Sequence, residues 1–145
     1  MDAQWLFAIH LVATLYMTGV IWFVQLVHYP LFAKVPDEAY VEYERVHMAR
    51  TTWAVGPPML VELATALAMI IWPPVGTPVW LPWTGAVIVL CLFASTAFYY
   101  GPQHEKLASG FDASVHRALV GWNWLRTIGW SVRGAMLVWV ACFCG

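Results

Sequence analysis

Residues 5–32 read WLFAIHLVATLYMTGVIWFVQLVHYPLF, a run of 28 residues without a single Asp, Glu, Lys or Arg. A helix needs about 20 mostly apolar residues to cross a bilayer, so this run is long enough to span. Three further stretches, 51–72, 83–100 and 119–143, have the same character, and the charged residues fall almost entirely between the four. The chain has 145 residues, 61% hydrophobic and 10% charged, where a soluble domain carries about 25% charged residues. These features predict one integral membrane domain over 1–145, all-α, a four-helix transmembrane bundle of up-down topology. Four crossings use nearly the whole chain and leave no soluble domain. Net charge is −1, which gives no sign of a nucleic-acid partner; membrane lipid is the expected surrounding, with a homo-oligomer or a larger membrane complex as possible assemblies.

The N-terminus carries Asp2, lacks a basic leader and continues into too long an apolar run for a cleavable signal. It reads as a retained first helix. Lys34, Arg45 and Arg50 flank the first connection, Lys106 and Arg117 the third, and the second, 73–82, has no charge. The positive-inside rule then puts connections one and three in the cytoplasm and both termini on the other side of the membrane. Trp5, Trp72, Trp80 and Trp83 form the expected outer aromatic belt; Trp53, Trp122 and Trp124 form the inner one. Cys91, Cys142 and Cys144 make an odd set without Cys-x-x-Cys spacing, which reads as buried apolar thiols rather than a disulfide framework.

Pro36 and Asp37 open a short polar helix that runs into the second span, and Gly56-Pro57-Pro58 should kink that span. The third connection starts at Gly101-Pro102, makes a short helix, breaks at Gly110 and restarts with Asp112 as N-cap. The halves share a faint repeat: Pro30 precedes His47 and Trp53, Pro102 precedes His116 and Trp122, and histidine to tryptophan is six residues in each. Such a repeat fits two similar hairpins related by an axis along the membrane normal.

Polar side chains within the spans recur at helical spacing. His10, Thr14, Gln25 and His28 share one face of the first span; His47, Thr51, Glu62 and Thr65 share one of the second. Thr84, Cys91 and Ser95 do so on the third, and Asn123, Arg126, Trp130 and Arg133 on the fourth. These faces should meet inside the bundle. A charge at mid-bilayer costs about 2.5–3.5 kcal/mol even on the gentler scale, so Glu62 should pair with Arg133, Arg126 or both. The pair either fixes helix register or belongs to a polar pocket that includes Asn123, Gln25 and His10.

His28, His47, His104 and His116 fall near the basic connections. Glu44 and His47 form Glu-x-x-His, which puts both on one helical face, as in di-iron bundles. Imidazoles with a carboxylate suit iron, copper or zinc. His10 lies alone within the first span and is a conceivable haem ligand, with Met17, Met59 or Met136 as partner. The chain has no Gly-rich phosphate loop, nucleophile elbow or Cys-x-x-Cys-His.

Several motifs carry a resemblance: Gly19 through Phe32, Arg50-Thr51-Thr52-Trp53, Gly56 through Glu62, His104 with Gly110-Phe111-Asp112, and Asn123-Trp124-Leu125-Arg126-Thr127 with Trp130 and Arg133. Together they resemble a group of uncharacterised small four-span bacterial membrane proteins, over nearly the whole chain. More distantly, the proline that closes the first span and the Asn123-x-x-Arg126 element are similar to anthrone-oxygenase-like membrane proteins. His10 before Gly19 and Trp22 is similar to HemJ-type protoporphyrinogen oxidases and membrane urate oxidase anchors. The catalytic lysine of the HemJ type has no intramembrane counterpart, since Lys34 and Lys106 lie in connections. These resemblances imply redox chemistry on flat hydrophobic molecules, with a haem, a metal, a quinone or an aromatic substrate held in the polar core. A structural or assembly subunit, and a small transporter or proton pathway through Glu62, are the competing expectations.

Overall fold

The computed structural model describes residues 3–143. Asp2 and Cys144 lie outside the described residues. Helices α1 (Ala3–Phe32), α2 (Asp37–Ile71) and α3 (Trp80–Leu107) are each long and apolar enough to cross a membrane. The fourth, α4 (Ala113–Phe143), is comparably long, but Asn123, Arg126 and Arg133 sit on it and lower its hydropathy. No strand occurs among the described residues. Lipid offers the backbone no hydrogen-bond partner, and a helix satisfies every peptide group internally.

Connections of a few residues force neighbouring helices to run antiparallel. Cross-links show this directly: Thr14 meets Glu62 and His28 meets His47, so numbers rise along α1 as they fall along α2. Thr18 and Gln25 reach Trp130 and Val120 on α4 in the same sense. α1 packs on α2 and α4, and α3 packs on both of those as well. The bundle is therefore up-down, and Ala3 and Phe143 share one end. Lys34, Arg45, Lys106 and Arg117 share the other, called here the basic end.

Core packing is aliphatic and aromatic, with Met17, Ile21, Met59, Leu92, Leu119 and Trp130 at its centre. α3 approaches α4 so closely that a Cβ on Gly129 would come within 2.9 Å of Leu92 Cδ2. The outward surface is apolar too: Val12, Leu60 and Val87 are exposed, as are all seven belt tryptophans.

The helices exceed the apolar runs read from sequence, and mostly at the basic end. α2 starts at Asp37 rather than near 51, so its first 14 residues add about 21 Å at 1.5 Å per residue. The short polar helix and the span are one continuous element, which also runs unbroken through Pro57 and Pro58. α3 likewise continues through Pro102 to Leu107. After it, Gly110 adopts φ +143°, a conformation open to glycine. Asp112 Oδ1 then accepts the Ser114 and Val115 amides, capping α4 as its sequence suggested. The Ser114 hydroxyl and these amides hold the Asp112 carboxyl below its ordinary value.

The polar face expected on α3 is not present. Thr84 and Cys91 are exposed, and the buried face is Leu81, Pro82, Ala86, Val89 and Leu92. Thr84 Oγ1 donates to the Trp80 carbonyl of its own helix, 2.9 Å away, so it needs no partner on another helix. Cys91 and Cys142 are free and exposed rather than buried. A thiol is apolar enough to face acyl chains.

Both long prolines-containing turns share one device. Val24–His28 and Thr96–Tyr100 are π-helical. Tyr29 N–H bonds back to the Val24 carbonyl and Gly101 N–H to the Thr96 carbonyl. Each of these donors immediately precedes a proline, Pro30 or Pro102. Proline crowds the residue before it out of ideal α geometry and supplies no donor of its own, and the wider turn spreads that strain over five residues. The two halves of the chain thus share a π turn placed alike relative to proline.

Candidate functional site

Two polar clusters occupy the bundle, one deep and one at the basic end. The deep cluster centres on Glu62, which is fully buried. Oε1 accepts from Arg133 Nε at 3.0 Å and from the Thr14 hydroxyl at 2.8 Å; Oε2 accepts from Trp130 Nε1 at 2.9 Å. Arg133 also donates to the Gly85 carbonyl and meets His10 Nε2 at 3.1 Å. His10 Nδ1 contacts Thr65 Oγ1 at 2.7 Å. All four helices contribute, and every charge has its partner.

This network leaves little space for a ligand. The adjoining void, lined by His10, Met69, Gly85, Arg133 and Met136, measures about 20 Å³, room for about one water. Both ring nitrogens of His10 are engaged within the network, with Thr65 and Arg133. Met17 and Met59 pack in the apolar core. The hydrogen bonds here form a knot that links all four helices.

Arg126 stands apart from Glu62. Its guanidinium lies over the Tyr100 ring at 4.3 Å and near the Trp130 ring at 5.5 Å. Such cation–π contacts contribute about 0.5–2 kcal/mol but supply no hydrogen-bond acceptor. Asn123 Nδ2 donates to Gln25 Oε1 at 2.9 Å, and Gln25 Nε2 donates to the Val120 carbonyl. That pair ties the π turn of α1 to α4 between the two clusters.

The second cluster is built where α1, α2 and α3 meet at the basic end. Glu44 and His47, one turn apart on the polar extension of α2, face His104 from α3. Glu44 is fully buried, and its Oε1 lies 2.6 Å from His104 Nδ1. His104 Nε2 contacts the Tyr29 hydroxyl at 2.9 Å. His47 Nδ1 contacts His28 Nε2 at 2.8 Å and Thr51 Oγ1 at 3.0 Å. One ligand atom from each of Glu44, His47 and His104 lies within 4.8 Å of the others. A metal with ligands at about 2.0–2.2 Å would draw them slightly closer. The second oxygen of Glu44, Oε2, is buried without a partner. A buried carboxylate with an unsatisfied oxygen is costly, and a cation between Glu44 and the imidazoles would remove that cost.

The histidines of the basic end therefore divide. His47 and His104 join Glu44. His28 touches His47 and orients it, as hydrogen-bonded neighbours orient metal ligands. His116 does not join the group: its Nε2 donates to the Tyr29 carbonyl at 2.7 Å, one of the last four carbonyls of α1, which lack helical partners. Its role is to close that helix end.

A cleft of about 150 Å³ adjoins the cluster, lined by Tyr29, His47, Thr51, Tyr100, His104 and Arg126 among others. Tyr29 and Tyr100 were not singled out in the sequence reading. Their signal was present in His28-Tyr29-Pro30 and Tyr100-Gly101-Pro102, where the π turns bring both rings to the cleft. Comparison with known proteins returns no matching family model, no matching curated protein and no matching solved structure.

Proposed function

We propose that this chain is a four-span protein of the bacterial inner membrane that binds a first-row transition metal through Glu44, His47 and His104 and performs redox chemistry on a small molecule held in the adjoining cleft. The observation that carries the reading is Glu44 itself: a fully buried carboxylate with one oxygen unpartnered, set against two imidazoles from different helices. Two histidines and one carboxylate are the donor set of non-haem iron oxygenases, and a metal so held keeps open positions and, as iron or copper, exchanges electrons. Tyr29 fixes the ring of His104, and His28 fixes that of His47. Leu125, Ile128, Val132 and Val138 face outward from α4, which supports the fourth crossing. The basic residues of connections one and three support a cytoplasmic position for the cluster and a non-cytoplasmic one for both termini. The anthrone-oxygenase-like resemblance points to the same reaction class.

Metal analysis of the purified protein tests the reading. Stoichiometric iron or copper is expected, falling at least tenfold in His104→Ala and Glu44→Gln while helicity is retained, and protein that holds zinc alone would overturn the redox part of the reading. Metal-free protein that takes up none of these ions on incubation would overturn it. The Glu62 network supports a second, structural role for the deep cluster, since both carboxylate oxygens already accept hydrogen bonds from neighbouring helices.

A further inference from the structure

Arg126 and Arg133 lie seven residues apart on one face of α4, yet only one has an anion. Arg133 is paired with Glu62. Among the described residues Arg126 forms no ion pair, and its Nε is buried without a hydrogen-bond partner. The residue is 6% exposed and lines the cleft beside His47 and His104. The rings of Tyr100 and Trp130 hold the guanidinium in place, and its Nε–H is left without an acceptor. A fixed, buried, unpaired cation facing a cavity is a binding site for an anion, because only an anion supplies both the charge and the acceptors.

The cleft limits what that anion is attached to. Its volume is about 150 Å³, and an apolar cavity of about that size holds a benzene ring. Tyr29 and Tyr100 give aromatic walls, and Val55 and Met48 add apolar ones. We propose that Arg126 binds the anionic oxygen of a ring-sized molecule, a carboxylate or ionised phenol on one aromatic ring, with the ring lying between Tyr100 and the Glu44–His47–His104 group. The inference rests on the proposed function for the chemistry done to that molecule. Its recognition depends on Arg126 alone.

Benzoate is the probe, followed by tryptophan fluorescence of the full chain in phosphatidylcholine nanodiscs, with benzyl alcohol as the neutral match in shape. Saturable benzoate binding is expected, at least tenfold weaker in Arg126→Gln, intermediate in Arg126→Lys, and at least tenfold weaker for benzyl alcohol than for benzoate. Equal affinity of wild type and Arg126→Gln for benzoate overturns the inference, as does equal affinity for benzyl alcohol. Benzoate binding that is present in phosphate-free maltoside detergent but absent in phosphatidylcholine nanodiscs also overturns it, by assigning the cleft to a lipid headgroup phosphate. Should Arg126→Gln fail to fold, the lysine variant and the alcohol comparison decide. Arg126-dependent benzoate binding in protein that takes up no metal would overturn the metal reading and leave this inference standing.

Discussion

At the scale of single residues, the decisive contrast lies between carboxylates with and without a full set of partners. Glu62 accepts three hydrogen bonds and faces a guanidinium. Glu44 has one imidazole contact and an orphaned oxygen. Removing the charge from Glu62 strands Arg133 in the bundle, and breaking a buried pair in this way costs about 3–5 kcal/mol. Glu62→Gln is therefore expected to lower stability by about that amount in detergent unfolding experiments. Glu62→Leu combined with Arg133→Met should recover most of the loss, because no charge is then left unpaired. If Glu62→Gln unfolds like the wild type, the knot is not what fixes register. The intramembrane charges were legible in the sequence because a mid-span ion demands a partner; which arginine pairs with Glu62 was not. Arg126 and Arg133 share a face, and only the depth of each along α4 separates them.

Among the helices, the two π turns deserve equal weight with the spans. Each absorbs one extra residue just before a proline, and each ends on a side chain at the basic-end cluster or its cleft, His28 or Tyr100. Inserting one alanine after exposed Leu26, in a turn that already absorbs an extra residue, rotates His28 by about 100° relative to the helix before it. The four helices should persist by circular dichroism while metal affinity falls; unchanged affinity would show that His28 does not position His47. Asp112 gives a pH-dependent expectation at the start of α4. Its folded-state value is lowered, so its cap is complete above the ordinary value of 3.8 and is lost as pH falls further. Extra protection of the Ser114 and Val115 amides, measured against Asp112→Ala by hydrogen exchange, should be present at neutral pH and vanish in strong acid. Sequence patterns located the four helices and the polar helix opening at Asp37 that runs into the second; only the apolar runs stopped short at the basic end, because residues 37–50 are polar. The π turns leave the apolar pattern unchanged, so only the prolines hinted at them. The face of α3 was misread because a threonine that bonds to its own helix is indistinguishable in sequence from one that reaches across.

The whole molecule joins these parts across the membrane boundary. The polar extensions of α2 and α3 place the Glu44 cluster beyond the longest apolar runs. The expected topology can be read chemically in a chain with Cys91, Cys142 and Cys144 replaced by serine. A cysteine at Lys34 should label only from the cytoplasmic side and one at Val75 only from the other; the reverse pattern would invert the orientation. Glu44 and His47 were legible as a pair from their spacing within one helix. Their completion by His104 was not, because no local pattern states which turn of α3 packs against which turn of α2. X-ray absorption at the metal edge of the purified, metal-loaded protein tests the central claim most directly. The account expects a first shell of imidazole nitrogens and carboxylate oxygen that changes in both His47→Ala and His104→Ala. A shell unchanged by either substitution, or one without imidazole scattering, would contradict it.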